Sequence, residues 1–258
     1  MSASTGRIAL VSGASRGVGA ATARTLAGRG VDVIVNYRSK ARRAEEVAGD
    51  ARRAGRRAIA AQADLTNPDE SVEMFDVVRE RFGRLDLLVL NASGGLERGK
   101  NEDYAMQINL TAQTQAVDLA LPLMPEGGRV VFVTSHLAHF YGQKPVYPSY
   151  EPVAASKRAG EDALRSRIPE LSASGVSLVV VSGDVIEGTI TPKLMERQSP
   201  GLLAARRRQA GQLPTVDDFA RAVADATEDT ALQSGETVFV GSTEWEIPEA
   251  KPEDGADG

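Results

Sequence analysis

The sequence predicts a doubly wound α/β fold, in which one domain forms a parallel sheet of seven strands with helices on both faces. Short apolar runs alternate with helix-length segments along most of the 258 residues, a pattern typical of strands joined by crossover helices. Gly13, Gly17 and Gly19 follow the first apolar run. A hydrophobic content of 42% is enough for one sizeable core. We predict one domain over residues 1–243 and a disordered acidic tail over residues 244–258, which contains two prolines and two glycines.

The first strand, helix and second strand lie within residues 7–38. Residues 7–12 (RIALVS) form an apolar run of strand length, residues 20–29 have helical composition, and residues 31–35 form a β-branched run. Glycines between strand and helix allow a tight turn and let an anion such as a pyrophosphate approach the N-H groups at the helix N-terminus. The glycine spacing alone is also compatible with a tight turn between strand and helix that binds no ligand.

The remaining segments continue the alternation. Glycines and prolines end most of them, and the run 129–134 is apolar enough for a central strand buried on both faces. Residues 191–212 are interrupted by Pro192 and Pro200 and are predicted to form a mobile segment. Thr215 is a candidate N-cap. The predicted helices are 41–55, 71–82, 104–124, 151–174 and 215–226, and the predicted strands are 57–62, 85–90, 129–134, 176–181 and 237–240.

Composition excludes several classes of function. A net charge of -5 and a pI near 5.3 provide no basic face for nucleic acid. The chain has no cysteine and two histidines, so we expect neither disulfides nor a metal site. There is no apolar run of membrane-spanning length and no signal-peptide core at the start. We therefore expect a cytoplasmic protein that binds neither nucleic acid nor membrane.

Four features at matching places in the fold resemble the short-chain dehydrogenase/reductase family, whose fold is of the Rossmann type. They are the G-x-x-x-G-x-G spacing from Gly13, the segment Asn91-Ala92-Ser93-Gly94, Ser135 after the fifth strand, and Lys157 in a helix. The resemblance extends from residue 7 to about 242. It implies a nicotinamide-dependent oxidoreductase that forms a homodimer or homotetramer. The implied cofactor-binding residues are Gly13, Ser15, Arg16, Gly17, Val18, Gly19, Tyr37, Arg38, Ser39, Asp64, Leu65, Asn91, Ala92, Ser93, Lys157, Gly183 and Thr189.

The end of the second strand indicates which nicotinamide cofactor is bound. A carboxylate at this place would accept hydrogen bonds from the ribose of NAD. Here the sequence reads Asn36-Tyr37-Arg38-Ser39. The guanidinium groups of Arg38 and Arg16 suit the extra phosphate of NADP. We therefore predict NADP(H), with a solvated helix start as the other interpretation of Arg38.

The family resemblance assigns catalytic roles to three residues and leaves one place unfilled. It implies that Ser135 orients the substrate oxygen, that Lys157 holds the cofactor ribose and lowers the pKa of the proton donor, and that Asn109 holds a water. The family's tyrosine precedes the lysine by four residues, and here that residue is Val153, which has no proton to donate. Tyr150 instead gives a Tyr-x6-Lys spacing, which resembles enoyl-acyl-carrier-protein reductases.

The segment between Ser135 and Lys157 offers other donors. It is longer than the resemblance predicts, and it contains Tyr141, Tyr147, His136 and His139, any of which could replace Tyr150.

We predict an NADPH-dependent reductase that transfers hydride to a carbonyl or to a conjugated enoyl thioester, with Tyr150 as donor. An acyl carrier protein is a candidate partner for Arg206, Arg207 and Arg208, while the carboxylates of Asp184 and Glu187 near the site have no assigned role. The alternative hypothesis is a protein that has lost this chemistry and binds NADP(H) for a structural or sensing role.

Overall fold

The computed structural model describes residues 6–97 and 103–247. Its centre is a parallel sheet in the order β3-β2-β1-β4-β5-β6-β7. The order reverses between β1 and β4, where a doubly wound sheet opens a crevice for ligands. The predicted fold class is confirmed. The strands are β1 (Ile8–Val11), β2 (Asp32–Tyr37), β3 (Ala58–Gln62), β4 (Leu87–Leu90), β5 (Arg129–Ser135), β6 (Ser177–Gly183) and β7 (Thr237–Val240).

Helices cover both faces of the sheet. A π-helical segment, Gln107–Thr111, joins α4 to α5, and short 3-10 turns occupy Leu121–Leu123 and Pro148–Tyr150. In the part of the chain that the structure describes, no helix is long and apolar enough to cross a membrane. The helices are α1 (Gly17–Gly28), α2 (Ala41–Arg53), α3 (Pro68–Phe82), α4 (Tyr104–Met106), α5 (Ala112–Ala120), α6 (His136–His139), α7 (Glu151–Ser166), α8 (Ile168–Ala173), α9 (Ile190–Gln198), α10 (Leu202–Ala210) and α11 (Val216–Glu228).

The core consists of one apolar cluster on each face of the sheet. Along β4, Leu87 and Val89 belong to the cluster under α1, α2 and α11, whereas Leu88 and Leu90 belong to the cluster under α3, α5 and α7. This alternation follows the two-residue period of a strand. Because both faces are covered, β4 is apolar at every position (LLVL).

Two strands extend two residues further than the sequence predicts. β2 continues to Tyr37 because Asn36 and Tyr37 pair with Ala61 and Gln62 of β3. β6 continues to Gly183, which pairs with Ser135 on one side and Val240 on the other. Hydrogen bonds to neighbouring strands set these ends, so they depend on tertiary contacts that local sequence does not encode.

The predicted mobile segment contains two helices, and part of the predicted tail is packed. Residues 191–212 are largely helical, and Leu202 of α10 is buried. Within the predicted tail, Trp245 and Ile247 pack against an apolar cluster that contains Tyr147 and Leu202. Residues 244–247 are thus part of the packed structure, and residues 248–258 lie outside the described residues.

Candidate active site

The glycine turn between β1 and α1 is built for close approach. Gly13 has a φ of +62°, and a Cβ there would lie 3.0 Å from Ala92 Cα. A Cβ on Gly19 would lie 2.5 Å from the side-chain nitrogen of Asn91. Asn91 Nδ2 donates to Ser12 O at 2.9 Å, which ties β4 to the turn. The residues therefore fit a pyrophosphate at the start of α1.

Asn36 of β2 supports this turn, a role that the sequence analysis did not predict. Its Oδ1 accepts a hydrogen bond from Gly13 N at 3.0 Å, and its Nδ2 donates to Ala63 O at 3.2 Å. The side chain fixes the glycine turn against β2 and the end of β3. The available signal was a polar amide directly after the apolar run Val33-Ile34-Val35 of β2.

One cavity, of about 450 Å³, runs from the glycine turn to the end of β5. Sixteen of the predicted site residues line it, and they include both cofactor-binding and catalytic candidates. They are Gly13, Ser15, Arg16, Gly17, Val18, Arg38, Ser39, Asp64, Leu65, Asn91, Ala92, Ser93, Ser135, Tyr150, Lys157 and Thr189. Arg38 is exposed at the rim and donates to Tyr104 Oη. Asp64 Oδ1 accepts a hydrogen bond from Thr66 Oγ1 at 2.7 Å, so one acceptor site of this carboxylate is already occupied within its own loop.

Four predicted site residues lie away from the cavity lining. Gly19 packs under Asn91, and the ring of Tyr37 is buried in the core on the α1 face. Gly183 packs against α11, since a Cβ there would lie 2.2 Å from the Phe219 ring. Asn109 Nδ2 donates to Gly94 O at 2.9 Å and to Ser156 Oγ at 3.0 Å. These bonds use both amide hydrogens, so the side chain of Asn109 braces α7, and the role of Asn109 in holding a water stays a prediction.

Tyr150, Val153 and Lys157 lie on one face of the helical segment that begins α7. The spacings of four and seven residues before Lys157 correspond to one and two helical turns, and all three side chains line the cavity. A tyrosine moved from position 153 to position 150 therefore stays on the lysine face, one turn nearer the helix start. Ser135 Oγ lies 3.1 Å from Tyr150 Oη.

The charges of this site are set mainly by burial. Burial lowers the pKa of Lys157 to about 8, opposed by the nearby carboxylate of Glu161. Lys157 is 7% exposed, and none of the described residues forms a hydrogen bond with its Nζ, so the ammonium remains available to a ligand. Burial raises the pKa of Tyr150, opposed by its hydrogen bond with Ser135. Tyr150 therefore keeps its proton near neutral pH.

The alternative donors divide into two groups. Tyr141 donates to Glu151 Oε1 at 3.3 Å and His139 Nδ1 lies 2.8 Å from Glu161 Oε1, and neither residue lines the cavity. Tyr147 and His136 do line it. Burial lowers the pKa of His136 to about 4, and its Nδ1 lies 2.8 Å from Ser182 Oγ, so the ring is neutral near neutral pH.

The acidic residues after β6 form ion pairs with arginines of α10. Asp184 forms a buried two-bond ion pair with Arg206, at 2.8 and 2.7 Å. Glu187 Oε1 accepts from Arg207 Nε at 2.7 Å. Arg206 is 2% exposed, which corrects the prediction that it is available to a carrier protein.

Comparison with known proteins identifies the family. The short chain dehydrogenase family model matches residues 7–199, and the chain belongs to this family of oxidoreductases. A 1-cyclohexenylcarbonyl-CoA reductase of Streptomyces collinus is 33% identical over 187 residues, which are 70% of this chain and 65% of that protein. The chain thus matches slightly less than two thirds of that relative's length.

Solved structures resemble nearly the whole chain. A short chain dehydrogenase from Burkholderia cenocepacia in complex with NADP has a TM-score of 0.80 and 31% identity, covering 93% of this chain and 98% of its own. The angucycline C-6 ketoreductase LanV with bound NADP has a TM-score of 0.77 and 29% identity, covering 93% and 96%. NADP in both neighbours agrees with the cofactor predicted from the missing carboxylate after β2.

Proposed function

We propose that the protein is an NADPH-dependent ketone reductase with Tyr150 as its proton donor. The observation that carries this proposal is the 3.1 Å contact between Ser135 Oγ and Tyr150 Oη. Two hydroxyls at this distance can both donate to one carbonyl oxygen, which suits reduction at the carbon bearing that oxygen.

Each residue has one task in this reaction. When bound, NADPH supplies a hydride and leaves as NADP⁺. The chain's part is to protonate the oxygen: Tyr150 transfers its phenolic proton to it, and Ser135 donates a hydrogen bond to the same atom. The ammonium of Lys157 holds the cofactor ribose and favours the tyrosinate left after transfer. Solvent then returns the proton to Tyr150, and the ketone has become a secondary alcohol.

Reduction of a conjugated enoyl thioester is the second candidate. The Tyr-x6-Lys spacing and the resemblance to 1-cyclohexenylcarbonyl-CoA reductase favour it. There the hydride goes to the β-carbon, and Tyr150 serves the thioester oxygen. Ketone reduction ranks first because the structural neighbour LanV, which is a ketoreductase, matches over 93% of this chain.

The test is NADPH oxidation with cyclic ketones and with a crotonyl thioester. We expect Tyr150→Phe to lower kcat for the accepted substrate by about 10²- to 10⁴-fold, with NADPH affinity retained. Tyr141→Phe is the matched control, because its hydroxyl binds Glu151 away from the cavity. Full activity of Tyr150→Phe together with its loss in Tyr147→Phe would reassign the donor. Tight NADPH binding without turnover of either substrate class would favour the structural or sensing role.

A further inference from the structure

Trp245 is the only tryptophan of the chain, and it lines the same cavity as Ser135 and Tyr150. It belongs to residues 241–247, which follow β7 and contain no helix or strand. We call this stretch the C-terminal segment. Gly241 begins it with a φ of +90°, and a Cβ there would lie 2.7 Å from Asp184 Cβ. The chain therefore turns closely across the end of β6.

Arg206 of α10 holds the backbone of the C-terminal segment by hydrogen bonds. Its Nη2 donates to Ser242 O at 2.8 Å and its Nη1 to Glu244 O at 2.7 Å. The same guanidinium is paired with Asp184 and contacts Gln209. All five N-H donors of Arg206 therefore have protein partners, and the pair presents no free charge to a ligand.

The long segment after β5 fixes the C-terminal segment from the other side. Lys144 Nζ donates to Thr243 O at 2.7 Å and lies 5.0 Å from the Trp245 ring centroid. Trp245 Nε1 donates to Pro145 O at 2.9 Å. Because the indole nitrogen is held and a cation lies over the ring, the orientation of the indole is set before a substrate arrives.

The wall around Trp245 is largely apolar. Most of the other side chains that line the cavity near Trp245 carry no charge. Asp184 and Arg206 are charged, but they neutralise each other in an ion pair. An indole face in such a wall favours offset stacking with a flat ring. The neighbours that line the cavity with it include Leu96, Leu137, Tyr147, Val153, Leu194 and Met195.

We infer that the C-terminal segment is the specificity wall of the substrate pocket and that Trp245 packs on the substrate. The substrate class is an uncharged ketone within or beside a flat fused-ring system. This inference rests on the proposed ketone reduction and adds the residue that selects the ketone.

Steady-state kinetics with two probe ketones test the wall. We expect Trp245→Ala to raise KM for 1-tetralone, a fused bicyclic ketone, by about tenfold, while kcat/KM for butan-2-one and the NADPH Kd change less than about twofold. Phe239→Ala is the control. Phe239 stacks on Phe140, whose ring also contacts Trp245, but Phe239 is 44% exposed and does not line the cavity. Equal losses for both ketones in Trp245→Ala and Trp245→Phe, with NADPH binding intact, would overturn the inference.

Fluorescence separates this inference from the reaction itself. Because Trp245 is the sole tryptophan, its emission reports on the pocket of the NADP⁺ complex, where no reduction occurs. We expect saturable quenching by 1-tetralone and little response to butan-2-one. Quenching without turnover would support the wall and contradict ketone reduction. Turnover of butan-2-one with an unresponsive Trp245 would support ketone reduction and overturn the wall.

Discussion

The buried charge of Lys157 lowers the stability of the folded protein. Its pKa in the folded protein is about 8, against an ordinary 10.5, because burial disfavours the charged form. For a lysine with a lowered pKa, the cost of folding is fully present below about pH 8 and disappears as the pH rises through 10.5. In the absence of cofactor the protein therefore carries this cost at neutral pH.

We expect Lys157→Met to raise the free energy of unfolding of the cofactor-free protein at pH 7, by at most about 3 kcal/mol. We expect the same variant to lose activity, because it removes the ammonium that we propose holds the cofactor ribose. Urea unfolding of the two proteins measures the difference, with Lys193→Met as control, since Lys193 is exposed on α9. A lower unfolding free energy in Lys157→Met would contradict the assigned cost of burial.

The sequence predicts single residues well where one helix or one turn contains the whole constraint. The cluster of Tyr150 and Lys157 follows from helical spacing, and the glycine turn follows from steric need. The places of Trp245 in the cavity and of Arg206 in a buried ion pair were not predicted, because they depend on contacts across the fold: Arg206 meets Asp184, 22 residues earlier, and Trp245 meets Pro145, 100 residues earlier. No local pattern marks such pairs.

At the scale of elements, Arg206 joins α10 to Asp184 at the end of β6, and Arg206 and Gln209 together join α10 to the C-terminal segment. Removing one partner of a buried ion pair leaves the other charge without compensation. We expect Arg206→Met to lower the free energy of unfolding by about 3–5 kcal/mol, measured by urea unfolding. Arg207→Met is the matched control, because the adjacent ion pair with Glu187 is largely exposed and contributes about 0–1 kcal/mol.

A double variant checks the cause. If the loss in Arg206→Met comes from the stranded carboxylate of Asp184, then Arg206→Met with Asp184→Leu recovers part of the stability. No recovery would instead assign the loss to the released C-terminal segment.

Element boundaries were predictable where side chains of the same segment fix them. Thr215 caps α11 as expected: its Oγ1 accepts from Asp218 N, and Asp218 Oδ2 accepts from Thr215 N, both at 3.1 Å. The predicted helix over 151–174 is instead divided at Arg167 into α7 and α8. Pro169 in the first turn of α8 is compatible with that new start, a signal that the apolar periodicity obscured.

At the scale of the whole molecule, cofactor binding couples to stability because only the folded chain has the cavity. We expect NADP⁺ to raise the melting temperature more than equimolar NAD⁺. Arg38→Ala should remove most of this difference and weaken NADP⁺ binding about 10- to 100-fold, since a charge-assisted hydrogen bond to phosphate is lost. Thermal shift and titration calorimetry measure both effects.

The control is Arg56→Ala, whose guanidinium donates to Gly30 O away from the cavity. An unchanged preference for NADP⁺ in Arg38→Ala would move the phosphate contact to Arg16 or Ser39. Size-exclusion chromatography with light scattering tests the homodimer or homotetramer that we propose from the family.

Fold class, family and NADP(H) were all predictable from sequence, because they depend on repeated local signals: strand and helix alternation, the glycine turn and the missing carboxylate. The substrate was not. It depends on a wall assembled from α9, α10, the segment after β5 and the C-terminal segment, and only the folded chain brings these together.

The helix face shared by Tyr150, Val153 and Lys157 also affects how related genomes are searched. A pattern that requires tyrosine four residues before lysine rejects this chain, which has Val153 there. A search that accepts a tyrosine one turn earlier, with a longer segment after the serine, would recover it. If Tyr150 is the donor, as we propose, assigning activity by fixed spacing alone misses enzymes of this arrangement.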